Sequence, residues 1–233
     1  MEKLIKKLIR TEENVINLVR EYASTGRTTL LTYINQNSIN QYFDDSDYKV
    51  LLNDKFYIYN DGVGTYLALK YLFNLKPELI NATDLNYKLL KVICNELRIK
   101  PYLIGGRLFL KSTFDNDLLC GYCNGYSSIK NYEQLLDKTT TDRIVIFIAM
   151  GVPKQEKIAY ELSLCFDHVL IICVGNFFEY YYKRICRVPK FLRNTGIEWI
   201  FRLFTEPGRL WKRYLIGIPI FIYRIISEKL YTE

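Results

Sequence analysis

The sequence predicts an α/β protein: a mostly parallel, Rossmann-like sheet with helices on both faces, followed by a basic helical appendage. Three observations predict it. Arg143 to Met150 and His168 to Val174 carry near-continuous apolar runs, IVIFIA and VLIICV, as strands buried on both faces require. Strand-like runs alternate with segments of helical periodicity between Thr28 and Val174, the order that builds βαβ units. Beyond residue 182 the strand signal stops.

Each element has its own signal. Residues 3–22 place Leu4, Ile5, Leu8, Ile9, Val15, Ile16 and Val19 at mostly helical spacing, with a break near Thr11. Thr28 to Ile34 reads as a strand. Val50 to Leu52 and Phe56 to Tyr59 read as two more, a pair bent at Asn53-Asp54. Gly62 to Phe73 is helical, with Leu67, Leu69, Tyr71 and Leu72 as core candidates. Leu85 to Leu97 is a helix behind Thr83-Asp84 as N-cap. A strand at Tyr102 to Ile104 ends at Gly105-Gly106. Leu118 to Tyr122 is a further strand, and Asn131 to Leu136 a short helix. Gly151-Val152-Pro153 opens a helix to about Cys165, with proline near the first turn. The tail is helical, punctuated by Pro189, Gly196, Pro207 and Pro219. No repeat and no long linker interrupts the chain, so the division is a body over 1–182 and an appendage over 183–233.

Composition narrows the class. The 233 residues are 49% hydrophobic and 15% aromatic, which excludes a disordered chain. Twelve Gly and six Pro exclude collagen-like and low-complexity sequence. Residues 1–182 hold 21 basic and 21 acidic side chains, whereas 183–233 hold 11 basic and 4 acidic. The whole net charge of +7 therefore lies in the tail, which points to an anionic partner: membrane surface, phosphate or nucleic acid. The alternative is a solvated basic helix face. Leu215 to Ile226 is apolar for twelve residues, broken by Pro219 and closed by Arg224, too short to span a bilayer and suited to its interface. Met1 to Arg10 lacks the apolar core of a signal peptide. The six cysteines form no regular framework, and Cys120-Gly-Tyr-Cys123 lacks a second pair. The expectation is a cytoplasmic protein with reduced thiols and no metal site, its tail suited to a membrane interface.

Three polar clusters fall where open α/β sheets bind ligands, beyond the carboxyl ends of strands. In Asn60-Asp61-Gly62-Val63-Gly64-Thr65, glycines allow close backbone approach and Asp61 can accept a proton from an attacking hydroxyl. Aspartate before a helix is also a common N-cap, and the residues alone leave both roles open. In Gly151-Val152-Pro153-Lys154-Gln155-Glu156, free N–H groups at a helix start, with Lys154 and Gln155, can hold a diphosphate or a base. Neither GxxxxGK[ST] nor GxGxxG is present. Thr32 to Asn35 offers hydroxyl and amide groups for sugar or phosphate, or simply a strand residue and a helix cap.

These clusters, in this order and with this tail, resemble the WecG/TagA/CpsF family of bacterial glycosyltransferases (glycosyltransferase family 26) from about Leu30 to Tyr223. The matching segments are Asp61-Gly62-Val63-Gly64, Gly151-x-Pro153-Lys154-Gln155-Glu156, and Arg187-Val188-Pro189-Lys190 with Gly196-Ile197-Glu198-Trp199-Ile200-x-Arg202-Leu203 and Glu206-Pro207-x-Arg209. The resemblance implies an inverting, metal-independent enzyme without cofactor. It would move a sugar from a UDP-sugar to a polyprenyl-diphosphate-linked saccharide in surface-polysaccharide biosynthesis. It implies Asp61 as general base, a role in activity for Thr32, and substrate binding by Asn35, Gly62, Gly64, Lys154 and Gln155. Arg202, Arg209 and Arg213 of the tail would neutralise the leaving diphosphate at an anionic membrane surface. The Asp44-Asp45-Ser46-Asp47 run is read as a solvated helix-to-strand connection, not a metal motif. The family's Arg, His and Asp elements are replaced at Leu79, Asn124 and Asn176-to-Glu179, which leaves the donor sugar open.

Two other readings follow from the same residues. One is a sugar-nucleotide-binding protein that has lost catalysis. The other is a nucleic-acid module using the basic tail, disfavoured because the tail's charges are interleaved with apolar side chains. Nucleic acid is therefore not an expected partner, and a homo-oligomer is left open. Removing the chain from about Lys183 is expected to leave a folded, more soluble, inactive body.

Overall fold

A computed structural model describes residues 1–105, 117–136, 143–183 and 185–232. Gly106, placed by the sequence reading at a strand end, lies outside them. Helix α1 (Glu2–Lys6) and strand β1 (Leu8–Ile9) precede α2 (Glu12–Thr25). The break near Thr11 is real: its side chain accepts from the Asn14 N–H and caps α2. The two-residue strand before it was hidden, since two residues show no period. Strand β2 (Thr29–Ile34) leads to α3 (Gln36–Asp44) and α4 (Ser46–Asp54), then β3 (Tyr57–Asn60). Val50 to Leu52 thus belong to a helix and not to a strand. Asp45 starts it by accepting from the Tyr48 N–H at 3.0 Å, and Tyr48, Leu51 and Leu52 form its buried face.

Helix α5 (Gly62–Leu67) runs into a π turn (Ala68–Leu72), and α6 (Ala82–Lys91) into another (Val92–Glu96). Of the core candidates in the first, Leu69 is buried but Leu67 and Tyr71 are exposed. The cap of α6 is Asn81, accepting from the Asp84 N–H, and not Thr83-Asp84. There follow β4 (Tyr102–Gly105), β5 (Gly121–Cys123), α7 (Ile129–Leu136), β6 (Ile144–Ala149), α8 (Lys154–Ser163), β7 (Val169–Cys173) and α9 (Phe177–Tyr181).

Among the described residues the strands form one sheet in the order β1-β3-β2-β7-β6-β4-β5, and every pairing is parallel. Alternate side chains of β6 divide between two cores. Ile144, Ile146 and Ile148 join the core containing Leu4, Ile58 and Ile171. Val145 and Phe147 join the one containing Val19, Leu89 and Ile172. That double burial is what the apolar runs predicted. The seam between β2 and β7 joins the early strands β1–β3 to the later ones.

The tail comprises a 3₁₀ turn (Lys190–Leu192), α10 (Glu198–Thr205), α11 (Pro207–Trp211), a π turn (Lys212–Ile216) and α12 (Gly217–Thr232). Pro219 does not break the segment. It lies just after the π turn, where the hydrogen-bond ladder of an otherwise continuous helical run already shifts. The tail is also no loose appendage. Phe221 and Ile225 are buried in the same core as the sheet, and Asn40 Nδ2 of α3 donates to Gly217 O at 2.7 Å. Arg224 Nη1 donates to Asn40 O and to Asp44 Oδ2, and Lys157 Nζ pairs with Asp45 Oδ2 at 2.7 Å. Asp44 and Asp45 are thus engaged and not merely solvated. Removing the tail would uncover core, which alters the expectation of a more soluble body.

Five of the tail's eleven basic side chains are paired within the protein. Arg187 and Arg193 both pair with Asp84, Arg202 with Glu198, Arg209 with Glu206, and Arg224 with Asp44. Its aromatic residues also divide. Tyr214 is buried and packs against half-buried Trp199, with ring centroids 5.9 Å apart, so these two face inward. Trp211 and Tyr223 are exposed, with Phe204, Leu215, Ile220 and Leu230. No helix among the described residues is long and apolar enough to cross a membrane.

Candidate active site

The chemistry centres on Asp61, at the turn from β3 into α5. Asn35 caps α3: its Oδ1 accepts from the N–H groups of Asn37 and Ser38 at 3.0 and 3.2 Å. That leaves its Nδ2 to donate to Asp61 Oδ2 at 3.3 Å. Asp61 Oδ1 accepts from the Ala82 N–H, the first of α6, at 2.9 Å. Asp61 occupies the cap position of α5 but makes no cap bond there. The positive ends of two helix dipoles therefore meet at one carboxylate held from both sides. Gly62 follows with φ of +82°, a conformation that side chains resist, and its N–H donates to Ile80 O at 3.0 Å.

A cavity of about 650 Å³ opens over this carboxylate between body and tail. Its polar lining includes Asn35, Asp61, Asn81, Glu198, Arg202 and Arg213. Its apolar lining includes Leu67, Ala68 and Leu72 from the body and Ile218, Ile222 and Ile226 from α12. Arg202 lies over the Tyr180 ring at 5.6 Å and pairs with Glu198, whose Oε2 accepts from Asn81 Nδ2 at 3.4 Å. The Nε groups of Arg202 and Arg213 are buried and unpartnered. Both arginines also line the cavity, where a guanidinium can pair with an anion.

A second cluster lies at the β2–β7 seam. Thr32 of β2 is fully buried, and its hydroxyl donates to Glu156 Oε1 at 2.7 Å. Gln155 Nε2 donates to the same oxygen at 2.8 Å. Gln155 Oε1 accepts from the Gly151 N–H at 3.2 Å and the Gly175 N–H at 3.1 Å. Gln155 and Glu156 are both fully buried, and Glu156 Oε2 has no hydrogen-bond partner. Burial pushes the Glu156 carboxyl up to about 7, against the opposing bonds from Gln155 and Thr32. Gly175 has φ of +55°, and a Cβ there would collide with the Tyr33 hydroxyl.

The structure thus gathers Asn35, Asp61, Gly62, Gly64, Arg202 and Arg213 into one cavity. Thr32 and Gln155 are not in its lining. They are sealed behind the strand ends, and the Gly151 N–H expected to be free is occupied by Gln155. Lys154 also stands apart, donating to Gly125 O at 2.6 Å and lying 4.8 Å over the Tyr126 ring. Arg209 pairs with Glu206, and the Asn176 amide, with its oxygen turned toward it, accepts from Nη2 and Nη1 at 3.0 and 3.1 Å. Leu79 is half-buried, and Asn124 Oδ1 accepts from the Tyr126 N–H at 2.9 Å within a turn. Sequence reasoning missed Asn81, Glu198 and Glu156 as site-building groups. The signal for Glu156 was present: it shares the buried face of α8 with Ala159 and Leu162, and a carboxylate on an apolar face needs a reason.

Comparison with known proteins bears on this arrangement. The chain is 25% identical over 194 residues to the N-acetylglucosaminyldiphosphoundecaprenol N-acetyl-beta-D-mannosaminyltransferase of Bacillus subtilis strain 168, covering 79% of this chain and 74% of that protein. It is 29% identical over 215 residues to the enzyme of the same name from Staphylococcus aureus strain NCTC 8325, covering 88% and 82%. A sequence model of the glycosyl transferase WecG/TagA/CpsF family matches residues 5–233, body and tail together. With that match spanning the Asp61 turn, the Gly151 segment and the arginines over the cavity, the chain belongs to the WecG/TagA/CpsF family of glycosyltransferases.

Proposed function

We propose that this glycosyltransferase moves a sugar, with inversion, from a UDP-sugar to a saccharide carried on a polyprenyl diphosphate, for a bacterial surface polysaccharide. The observation that carries the reading is one cavity with two kinds of lining. A fixed carboxylate and two arginines form its polar part, and isoleucines of α12 form its apolar part. A substrate that joins sugar, diphosphate and hydrocarbon matches both. The relatives' names describe an acceptor of this kind, and a mannosaminyl group as the sugar moved.

In this reading Asp61 takes the proton of the acceptor hydroxyl as that oxygen attacks the anomeric carbon and the bond to UDP breaks. Asn35 and the Ala82 N–H hold the carboxylate in place, as the hydrogen bonds above describe. The departing diphosphate gains negative charge, which Arg202 and Arg213 neutralise; that is the basis for expecting no metal cofactor. The donor nucleotide is read beyond the carboxyl ends of β6 and β7, next to the Gly151 and Gly175 turns, following the general rule for open α/β sheets. The exposed tail side chains Phe204, Leu215 and Tyr223 would enter the interface of a membrane whose lipid supplies the acceptor. The test is transfer of radiolabelled sugar from a panel of UDP-sugars to a synthetic lipid-diphosphate acceptor, with EDTA present. Asp61→Ala should lower turnover by about 10²-fold or more, the usual scale of a lost general base. Full activity in that variant would sink the assignment.

A further inference from the structure

We propose that Glu156 is a positioning residue for donor binding: a buried carboxyl that, through Thr32 and Gln155, holds the glycine turns after β6 and β7 in register across the seam of the sheet. The inference rests on the reading that the nucleotide sits at those turns. Its observations are separate from those at Asp61. Glu156 lines no part of the cavity, yet it is fully buried and receives two side-chain hydrogen bonds on one oxygen. One comes from β2 and the other from its own helix. Its neighbour Gln155 is thereby oriented, because Nε2 is engaged by Glu156 and Oε1 must face the two glycine N–H groups. A single amide then ties the loop after β6 to the loop after β7. Glu156 on one side and the two glycine N–H groups on the other together fix which way that amide points.

The arrangement suits a protonated carboxyl. The groups facing Glu156 are Thr32 and Tyr33 of β2, Tyr48 of α4, Cys173 of β7 and Gln155 of α8. Burial pushes the Tyr48 hydroxyl and the Cys173 thiol well up, so both are neutral at ordinary pH. No Lys or Arg pairs with Glu156 among the described residues. Ionisation would place an uncompensated charge there, with Oε2 lacking any donor, even though Oε1 would then accept more strongly from Thr32 and Gln155.

The test is titration calorimetry with UDP on the full chain, with circular dichroism as the control for folding. Glu156→Ala is expected to weaken UDP binding about tenfold. Glu156→Gln, whose amide oxygen still accepts from Thr32 and Gln155, recovers most of that loss. If the alanine variant does not fold, Glu156→Leu, which fills the space without accepting from Thr32 or Gln155, is read in its place. UDP affinity within twofold of normal in a folded Glu156→Ala or Glu156→Leu protein would overturn the proposal and leave the function reading intact. No UDP binding by the unmutated protein would overturn both.

Discussion

Replacing Glu156 by glutamine removes one titrating proton from the core and nothing else of similar size. The folded chain holds that proton up to about 7, while the ordinary value is 4.5. Between these values the folded state binds more protons than the unfolded state, so stability falls as pH rises through the window. At about 1.4 kcal/mol per pH unit, the rise corresponds to about 3 kcal/mol, present as a penalty above pH 7 and absent below pH 4.5. Most of it, about 2–3 kcal/mol, develops between pH 5 and pH 8. Glutamine carries no such penalty. Urea unfolding of both proteins at pH 5 and pH 8 measures the difference of differences, in which all other titrating groups cancel. Glu156→Gln should gain about 2–3 kcal/mol on the unmutated chain over that interval. Parallel pH profiles would refute the reasoning: the carboxyl would then ionise in the fold as freely as outside it.

Three further outcomes follow from the geometry. Arg202→Lys, which keeps the charge but loses the planar fork, should lower kcat more than it raises the donor KM, and Arg202→Ala should lower it further; steady-state kinetics checks this. Deleting residues from Lys183 uncovers the partners of Phe221 and Ile225, which at about 1.5–3 kcal/mol per buried side chain destabilises the body by roughly 3–6 kcal/mol, read by thermal denaturation. Ile222→Asp, on the apolar lining, should raise KM for a long-chain lipid acceptor by about tenfold or more while leaving KM for a short-chain analogue little changed.

The sheet was legible because parallel strands buried on both faces leave unbroken apolar runs, and Ile144–Ala149 and Val169–Cys173 are such runs. Shorter signals failed for definite reasons. Val50-Leu51-Leu52 is too brief to show a period, so its β-branched start outweighed the Asp45 cap that decides for helix. Pro219 looked like a break because proline inside a helical run usually is one, and the π turn at Lys212–Ile216 just before it leaves no signal in the sequence. At the site, Asp61 and Asn35 could be picked out by residue type, but their contact spans two strand ends and is a product of topology. Thr32 was legible as important and not as buried. Its partner, Glu156, lies 124 positions away.

The paired arginines bear on how the tail's basicity is to be understood. An isoelectric point near 8.9 counts groups, not the field they cast. Arg187, Arg193 and Arg224 reach back to aspartates of the nominally neutral body, while Arg202 and Arg209 face glutamates one turn away. Three of the tail's eleven basic side chains thus work as stitching that fastens one part of the chain to another. Such contacts are open to salt, so ionic strength acts on the seam between body and tail within the protein itself.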